Sequence, residues 1–226
     1  MSGTSSDQSR ERLISGVRRF QREVYPLREA EYRQLSREGQ KPHALFITCA
    51  DSRIDPEALT QSGPGEIFVS RNIGNLVPAY GEMLGAVSAI IEYAVAALQV
   101  NHIVVCGHTD CGAIFGLLHA EKVSRLPVVK SWLRNGDAAL SIVQSRNAAL
   151  AEHTALEQLT EENVILQLHH LRTHPAVAGS LAQGTLALSG WVYDIANGTV
   201  RVYDERQRRF IPMTRDEQTT AGGVGQ

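Results

Sequence analysis

Two segments of the sequence determine the fold: HALFITCADSR, residues 43–53, and HIVVCGHTDCG, residues 102–112. In both segments a short apolar run ends in side chains that can bind a metal or carry a charge. These side chains are Cys49, Asp51, Arg53, His108 and Cys111. Short apolar strands separated by helices predict an α/β sheet with a parallel core, and ligand sites in such sheets collect at the carboxyl ends of the strands. We therefore expect the two segments to meet at one edge of a sheet.

Further strand signals extend this sheet. GEIFVSR, residues 65–71, follows the turn signal Gly63-Pro64-Gly65. Residues 185–194 and 199–205 alternate in polarity around Asn197-Gly198, which is a strong hairpin signal. The parallel core is thus predicted to carry a hairpin at one end.

Helical periodicity covers much of the remaining chain. Residues 6–38 read as helix, with Pro26 breaking or kinking it, and residues 128–170 read as mostly helical. Residues 82–99 predict a long buried helix with a face of small residues. That face comprises Ala86, Ala89, Ile90, Tyr93, Ala94 and Ala97. His170 and His174 share a helix face just before Pro175, and we expect a solvated helix end there rather than a second metal site.

Composition excludes several classes of protein. The 226 residues include 22 Lys and Arg, 24 Asp and Glu, and 43% hydrophobic residues, so the chain is neither disordered nor strongly basic. The net charge of -2 gives no excess of basic residues of the kind that binds nucleic acid or an anionic membrane. The N-terminal MSGTSSDQSR lacks the apolar core of a secretory signal, and no apolar run is long enough to span a bilayer. We expect a soluble cytoplasmic protein.

Three cysteines are too few for a disulfide scaffold. Cys49, His108 and Cys111 offer two thiolates and one imidazole, the donor set that Zn²⁺ prefers. Three protein ligands would leave the fourth tetrahedral position open, as in a catalytic zinc site. The alternative is that both cysteines are inert and buried. Cys106 lies inside an apolar strand, so we assign it to the core.

Asp51 and Arg53 lie two residues apart and share a face if the segment is extended. A bidentate pair would then keep Asp51 ionised, and this carboxylate would select hydroxide over other ligands. Two thiolates cancel the charge of Zn²⁺, so such a site needs help to form hydroxide near neutral pH. The alternative is a surface ion pair worth ~0–1 kcal/mol.

The combined pattern resembles the β-class carbonic anhydrases from about residue 36 to residue 212. The motifs that carry the resemblance are Cys49-Ala-Asp51-Ser-Arg53, GEIFVSRN (65–72), IEYAV (91–95), His108-x-x-Cys111-Gly112 and GWVYD (190–194). The resemblance implies a doubly wound, mostly parallel sheet of four parallel strands plus an antiparallel addition, flanked by helices. It also implies the reversible hydration of CO₂ to bicarbonate and a proton by zinc-bound hydroxide.

Residue roles and organisation follow from the same resemblance. Zinc would be held by Cys49, His108 and Cys111, and Asp51 and Arg53 would form the catalytic dyad. Residues 1–38 would be a helical arm that embraces a neighbouring subunit, 39–214 the zinc-binding catalytic domain and 215–226 a disordered tail. The enzyme would be a homodimer or a dimer-based oligomer.

Two sub-patterns exist within the family. The plant-type pattern lines the CO₂ pocket with one Gln and apolar residues. The matching residues here are Gln40, Phe68, Ile73 and Tyr93. The other pattern uses a Trp, an Arg and a Tyr to hold a regulatory bicarbonate; Arg71 and Tyr193 match, but Phe46 stands at the Trp position. Because Phe cannot donate a hydrogen bond, we expect no bicarbonate-switched inactive state.

LFITCADSRIDP (45–56) and IEYAVAALQV (91–100) are similar to cyanobacterial carboxysomal members of the family. Those members carry a long C-terminal extension that this sequence does not show. Recruitment to a carboxysome is the alternative to a cytoplasmic location. Two alternatives to CO₂ hydration also stay open. The same zinc site could hydrolyse carbonyl sulfide or carbon disulfide, which are linear like CO₂, or the zinc could stabilise a non-catalytic assembly component.

Overall fold

A computed structural model describes residues 4–81, 85–146 and 151–213. The chain separates into two compact units, Met1–Lys41 and Pro42–Gln226. The expected disordered tail, 215–226, lies outside the described residues.

The first unit is helical. Helix α1 spans Ser5–Arg19 and α2 spans Glu29–Glu38. Thr4 begins α1 with a capping box, because it accepts from the backbone of Asp7 while the Asp7 carboxylate accepts from the backbone of Thr4. A π-helical turn and a 3₁₀ turn containing Pro26 separate the two helices, which confirms the predicted break. No described residue of this unit is buried.

The second unit contains one six-stranded sheet in the order β2-β1-β3-β4-β5-β6. The strands are β1 (Ala44–Cys49), β2 (Ile67–Asn72), β3 (His102–His108), β4 (Ala187–Asp194), β5 (Thr199–Asp204) and β6 (Arg209–Pro212). The first four in chain order pair in parallel, and β5 and β6 add antiparallel strands at one edge. This confirms the predicted α/β fold, including its four parallel strands and antiparallel addition.

Helices connect the parallel strands. They are α3 (Pro56–Thr60), α4 (Ala86–Glu92), α5 (Gly112–Leu118), α6 (Pro127–Leu133), α7 (Asp137–Arg146), α8 (Glu152–Thr173) and α9 (Pro175–Ala182). A π-helical turn, Tyr93–Ala97, continues α4. No helix in the described parts of the chain is long and apolar enough to cross a membrane.

The central strands are buried on both sides. All six residues of β1 are buried. Ile47 packs in the cluster that includes Leu168 of α8, whereas Phe46 packs with Cys106 in a separate cluster. Cys106 is fully buried, and burial raises the pKa of its thiol to about 12, so its assignment to the core is confirmed.

The predicted buried face of the 82–99 helix is wrong. Val87, Ile91 and Val95 face the core, whereas Ala89 and Tyr93 are exposed. Of the predicted face only Ala94 is fully buried. Alanine and isoleucine occur on both sides of this helix, so periodicity did not distinguish the core side from the other.

The expectation of a solvated helix end at His170 and His174 is also wrong. His174 is 3% exposed and donates from Nε2 to the carbonyl of Pro78 over 3.0 Å. His170 donates from Nδ1 to the carbonyl of Val77 over 2.7 Å. Both histidines bind backbone carbonyls of the segment that follows β2.

Candidate metal centre

Three ligand-type side chains converge at the carboxyl edge of the sheet. Cys49 ends β1, His108 ends β3, and Cys111 lies in the turn before α5. Strands β1 and β3 run parallel with Thr48 opposite Cys106, so both strands deliver their last residues to the same edge. The ligand-type atoms all lie within 4.8 Å of one another, and the two sulfur atoms are 3.9 Å apart.

The His108 ring is oriented for coordination. Its Nδ1 donates to the carbonyl of Thr109 over 2.8 Å, which leaves the lone pair on Nε2. That Nε2 is buried, and it has no hydrogen-bond partner among the residues that the structure describes. A buried acceptor without a partner is costly unless something else satisfies it. A metal ion at Nε2 would do so, with the tautomer fixed by the Thr109 carbonyl.

The two thiols cannot both ionise easily without a cation. The Cys111 thiol, and after it His108 and the backbone of Gly74 and Asp51, lower the pKa of Cys49 to about 4. The same sulfur pair raises the pKa of Cys111, because a second negative sulfur beside the first is repelled and desolvated. A dication between the sulfurs would remove that repulsion. The donor set and its geometry therefore fit zinc.

The Asp51 carboxylate is fixed beside this cluster. Arg53 donates from Nε to Oδ1 over 3.0 Å and from a terminal nitrogen to Oδ2 over 2.8 Å, and its backbone N–H also reaches Oδ1. These bonds hold the pKa of Asp51 well below its usual range. Oδ2 lies 3.9 Å from Nε2 of His108. The arrangement holds one ionised carboxylate against the ligand cluster.

The comparisons with known proteins agree with this geometry. The family model described as carbonic anhydrase matches residues 44–200. A carbonic anhydrase of Pseudomonas aeruginosa is 47% identical over 211 residues, which cover 93% of this chain and 95% of that protein. The chain belongs to the β-carbonic anhydrase family.

Other members extend the comparison. A carbonic anhydrase of the cyanobacterium Synechococcus elongatus is 44% identical over 84% of this chain and 70% of its own length. The solved structure of the β-carbonic anhydrase CcaA superimposes with a TM-score of 0.89 at 39% identity, covering 92% of this chain and 94% of that one. One of two tetrameric β-carbonic anhydrases from the ascomycete Sordaria macrospora superimposes with a TM-score of 0.78 at 28% identity, covering 86% and 96%.

The side chains predicted to line the CO₂ pocket do not form a compact cluster like that of Cys49, His108 and Cys111. The rings of Phe68 and Tyr93 lie 6.0 Å apart, so these two contact each other. Phe68 pairs with Leu45, four residues before Cys49, and therefore lies about 13 Å along the sheet from the ligand edge. Ile73 follows β2 directly and is 42% exposed. Gln40 belongs to the Met1–Lys41 unit, and its predicted role stays a prediction.

Arg71 has a contact that sequence reasoning missed. Its guanidinium donates to the carbonyls of Cys49, Asp51 and Ile54, with distances of 3.3, 2.6 and 2.8 Å. Arg71 thus pins the loop that carries one zinc-type ligand and the carboxylate. This contact depends on the strand register that places Arg71 opposite Thr48, which the sequence does not show. Phe46 stands where the bicarbonate-binding pattern has its Trp, and its ring packs edge-on against Trp191. The absence of a bicarbonate-switched state stays a prediction.

Proposed function

We propose that this β-carbonic anhydrase hydrates CO₂ reversibly to bicarbonate and a proton, with one zinc ion per chain bound by Cys49, His108 and Cys111. One observation carries the proposal. Two buried thiols and a buried imidazole with a free Nε2 converge beside an ionised carboxylate. A closed structural zinc site would need a fourth protein ligand, and the described residues bring no further Cys, His, Asp or Glu atom within 4.8 Å of all three.

Zinc bound there would supply a nucleophile near neutral pH, because the metal lowers the pKa of water. The protein's own contribution comes from the Asp51–Arg53 pair. The fixed Asp51 carboxylate would accept a hydrogen bond from the O–H of that nucleophile and so orient it toward the substrate. Arg53 keeps that carboxylate ionised and also donates to the carbonyl of Asp110 over 3.0 Å, which ties the two ligand-bearing loops together.

The substrate pocket requires apolar walls and one orienting donor, because CO₂ is small and uncharged. We assign the walls to Phe68, Ile73 and Tyr93 and the donor to Gln40. Ile73 also lines an apolar cavity of about 350 Å³ with Pro78 and Trp132. Phe68 lies about 13 Å along the sheet from the metal edge of its own chain, and Tyr93 contacts Phe68. This separation supports the idea that both side chains line the site of a neighbouring subunit.

A homodimer, or an oligomer built from dimers, would cover the exposed apolar face of α4. Ala86, Ala89 and Tyr93 share this face, and Tyr93 is 52% exposed. Leu13 and Val17 of α1 are 70% and 57% exposed, as expected for an arm, residues 1–38, that packs on another subunit. The tetrameric relatives from Sordaria macrospora support self-association.

We place the enzyme in the cytoplasm, because all three cysteines are free and a zinc-binding thiol pair persists best in a reducing compartment. Recruitment to a carboxysome through the N-terminal arm is the alternative, suggested by the cyanobacterial relative.

The decisive experiment counts zinc per chain and follows CO₂ hydration by stopped-flow spectrophotometry, with carbonyl sulfide and carbon disulfide as competing substrates. We expect one zinc per chain and fast CO₂ hydration. Stoichiometric zinc with turnover of carbonyl sulfide or carbon disulfide but none of CO₂ would assign the site to those substrates instead. Zinc without turnover of any of the three would indicate a structural metal.

A further inference from the structure

Four polar side chains form a stripe along α8 and its C-terminal cap. They are Asn163, Gln167, His170 and His174, spaced three or four residues apart, and we call them the α8 polar stripe. Each makes a hydrogen bond with the backbone of Gly74–Pro78, the segment that follows β2. Positions three or four apart share one helix face, so the stripe runs beside this segment as a continuous row.

The stripe is most deeply buried nearest the metal centre. Asn163 is 1% exposed and Gln167 is fully buried. Nε2 of Gln167 donates to Oδ1 of Asn163 over 2.9 Å and to the carbonyl of Asn135 over 3.2 Å. This fixes the amide of Asn163 with its nitrogen toward the carbonyl of Gly74, 3.1 Å away. Oε1 of Gln167 accepts from the backbone N–H of Val77 over 2.8 Å.

Gly74 connects the stripe to the metal centre. Its N–H donates to Sγ of Cys49 over 3.4 Å, while its carbonyl accepts from Asn163. Gly74 has φ +80°, and a Cβ there would lie 2.9 Å from Cβ of Ala113, so both backbone conformation and space require glycine. Asn72 holds the segment from the other side, because its carboxamide bonds both the N–H and the carbonyl of Leu76.

We propose that Asn163 is a positioning residue for the metal centre, aiming the Gly74 N–H at the Cys49 sulfur, with Gln167 holding Asn163 in place. The inference rests on the proposed zinc site. A hydrogen bond to a thiolate draws electron density from the sulfur and reduces its donation to the metal. Two thiolates would otherwise neutralise the charge of the ion, so this bond raises the electrophilicity that the reaction needs. Asn163 acts through Gly74, because the side-chain hydrogen bonds given for it among the described residues join it to Gly74 and Gln167.

The test compares Asn163→Ala with Thr160→Val. Thr160 is a matched control, because it is buried on the same helix and, among the described residues, its hydroxyl donates to the carbonyl of Leu156 in that helix. Zinc release to an excess of chelator is timed for each protein. Each is also loaded with Co²⁺, and the thiolate-to-cobalt charge-transfer band is recorded. We expect Asn163→Ala to release zinc about 10-fold faster, because the loop segment that holds the Cys49 sulfur in place loses its support. The band should also move to longer wavelength, because a sulfur without its hydrogen bond is a better electron donor. Thr160→Val should match the wild type in both.

A folded Asn163→Ala protein with wild-type zinc release and an unmoved band overturns the inference, as does an equal change in Thr160→Val. If Asn163→Ala does not fold, Gln167→Glu decides. This variant keeps the acceptor for Val77 but loses the donor to Asn163, so it should show smaller changes in the same direction; wild-type behaviour would overturn the inference. A wild-type chain that binds neither metal would refute the proposed function itself, before any variant is compared.

Discussion

The metal centre and the substrate pocket differ in how much of each one chain builds. The ligand cluster is complete within one chain, since Cys49, His108 and Cys111 are each at most 5% exposed and their ligand-type atoms lie within 4.8 Å. The proposed pocket walls remain open, with Ile73 42% and Tyr93 52% exposed. One chain therefore brings the three ligand-type side chains together, whereas under the proposed function a second copy would complete the walls around a small apolar substrate.

The largest effect should come from breaking the ligand cluster. Cys111→Ala removes one of three ligands, so zinc content should fall from about one per chain to near zero, and CO₂ hydration should be lost with it. Metal analysis of the purified protein measures this directly. Cys106→Ala is the control, because it removes a buried thiol that lies outside the cluster and should leave zinc in place. Full zinc occupancy in Cys111→Ala would refute the ligand assignment.

The next effect separates chemistry from metal binding within the same region. Asp51→Asn keeps the shape of the side chain but loses the charge that Arg53 stabilises. It should retain zinc yet lose on the order of 10²-fold in kcat for CO₂ hydration, the range for a lost proton-handling group. Stopped-flow kinetics together with metal analysis test both halves. An Asp51→Asn protein of wild-type activity would show that the dyad has no catalytic role.

A smaller effect should follow from opening the pocket while the metal centre stays intact. Ala89→Arg places a charge on the exposed apolar face of α4, one turn from Tyr93. We expect the proposed dimer to dissociate, zinc to be retained and activity to fall on the order of 10-fold as the substrate is held less well. Light scattering coupled to gel filtration gives the mass.

Ala58→Arg is the control for that variant, because Ala58 is also an exposed helical alanine but lies on a different helix, α3. An Ala89→Arg protein that is still dimeric and fully active would place the subunit interface elsewhere. A monomer of undiminished activity would show instead that one chain builds a sufficient pocket.

The two regions also differ in how well the sequence predicted them. The convergence of the three ligand-type side chains was predictable because Cys49 and His108 end apolar strands and Cys111 follows three residues after His108, and parallel strands bring their carboxyl ends to one edge. The bidentate pair of Asp51 and Arg53 was predictable because the two residues lie only two positions apart in the chain. Such arrangements need only local geometry and the order of the strands.

The supporting contacts were not predictable in the same way. Arg71 reaches the Cys49 loop from the adjacent strand, and Asn163 reaches Gly74 across 89 positions of sequence. The core side of α4 was mispredicted because alanines lie on both of its faces. His170 and His174 carried a helical spacing but no sign of the segment that covers them. Each of these depends on which surfaces meet after folding, which periodicity does not encode.

The smallest predicted effect concerns Gly74–Pro78, the segment that joins the metal centre to the pocket. Burial lowers the pKa of His174 below its ordinary value, and neighbouring His170 lowers it further, against the opposing bond to Pro78. The ring of Tyr80 packs edge-on against the ring of His174, with their centroids 5.7 Å apart. Tyr80, His174 and Glu92 line one cavity. Above pH about 6.5 the histidine is neutral in both folded and unfolded chains and contributes its full stability.

As the pH falls below about 6.5, the unfolded chain binds this proton before the folded chain does, so the free energy of unfolding decreases. In His174→Gln the side-chain amide still donates to the carbonyl of Pro78 but does not titrate. Urea unfolding of both proteins at pH 7.5 and 5.5, with equal zinc present, should show a smaller loss of stability on acidification for the variant. Acid release of zinc affects both proteins alike and cancels in the difference. Equal losses would mean that His174 takes up its proton as readily in the folded chain as in the unfolded one, and that the segment between the two regions carries no acid-sensitive contact at this position.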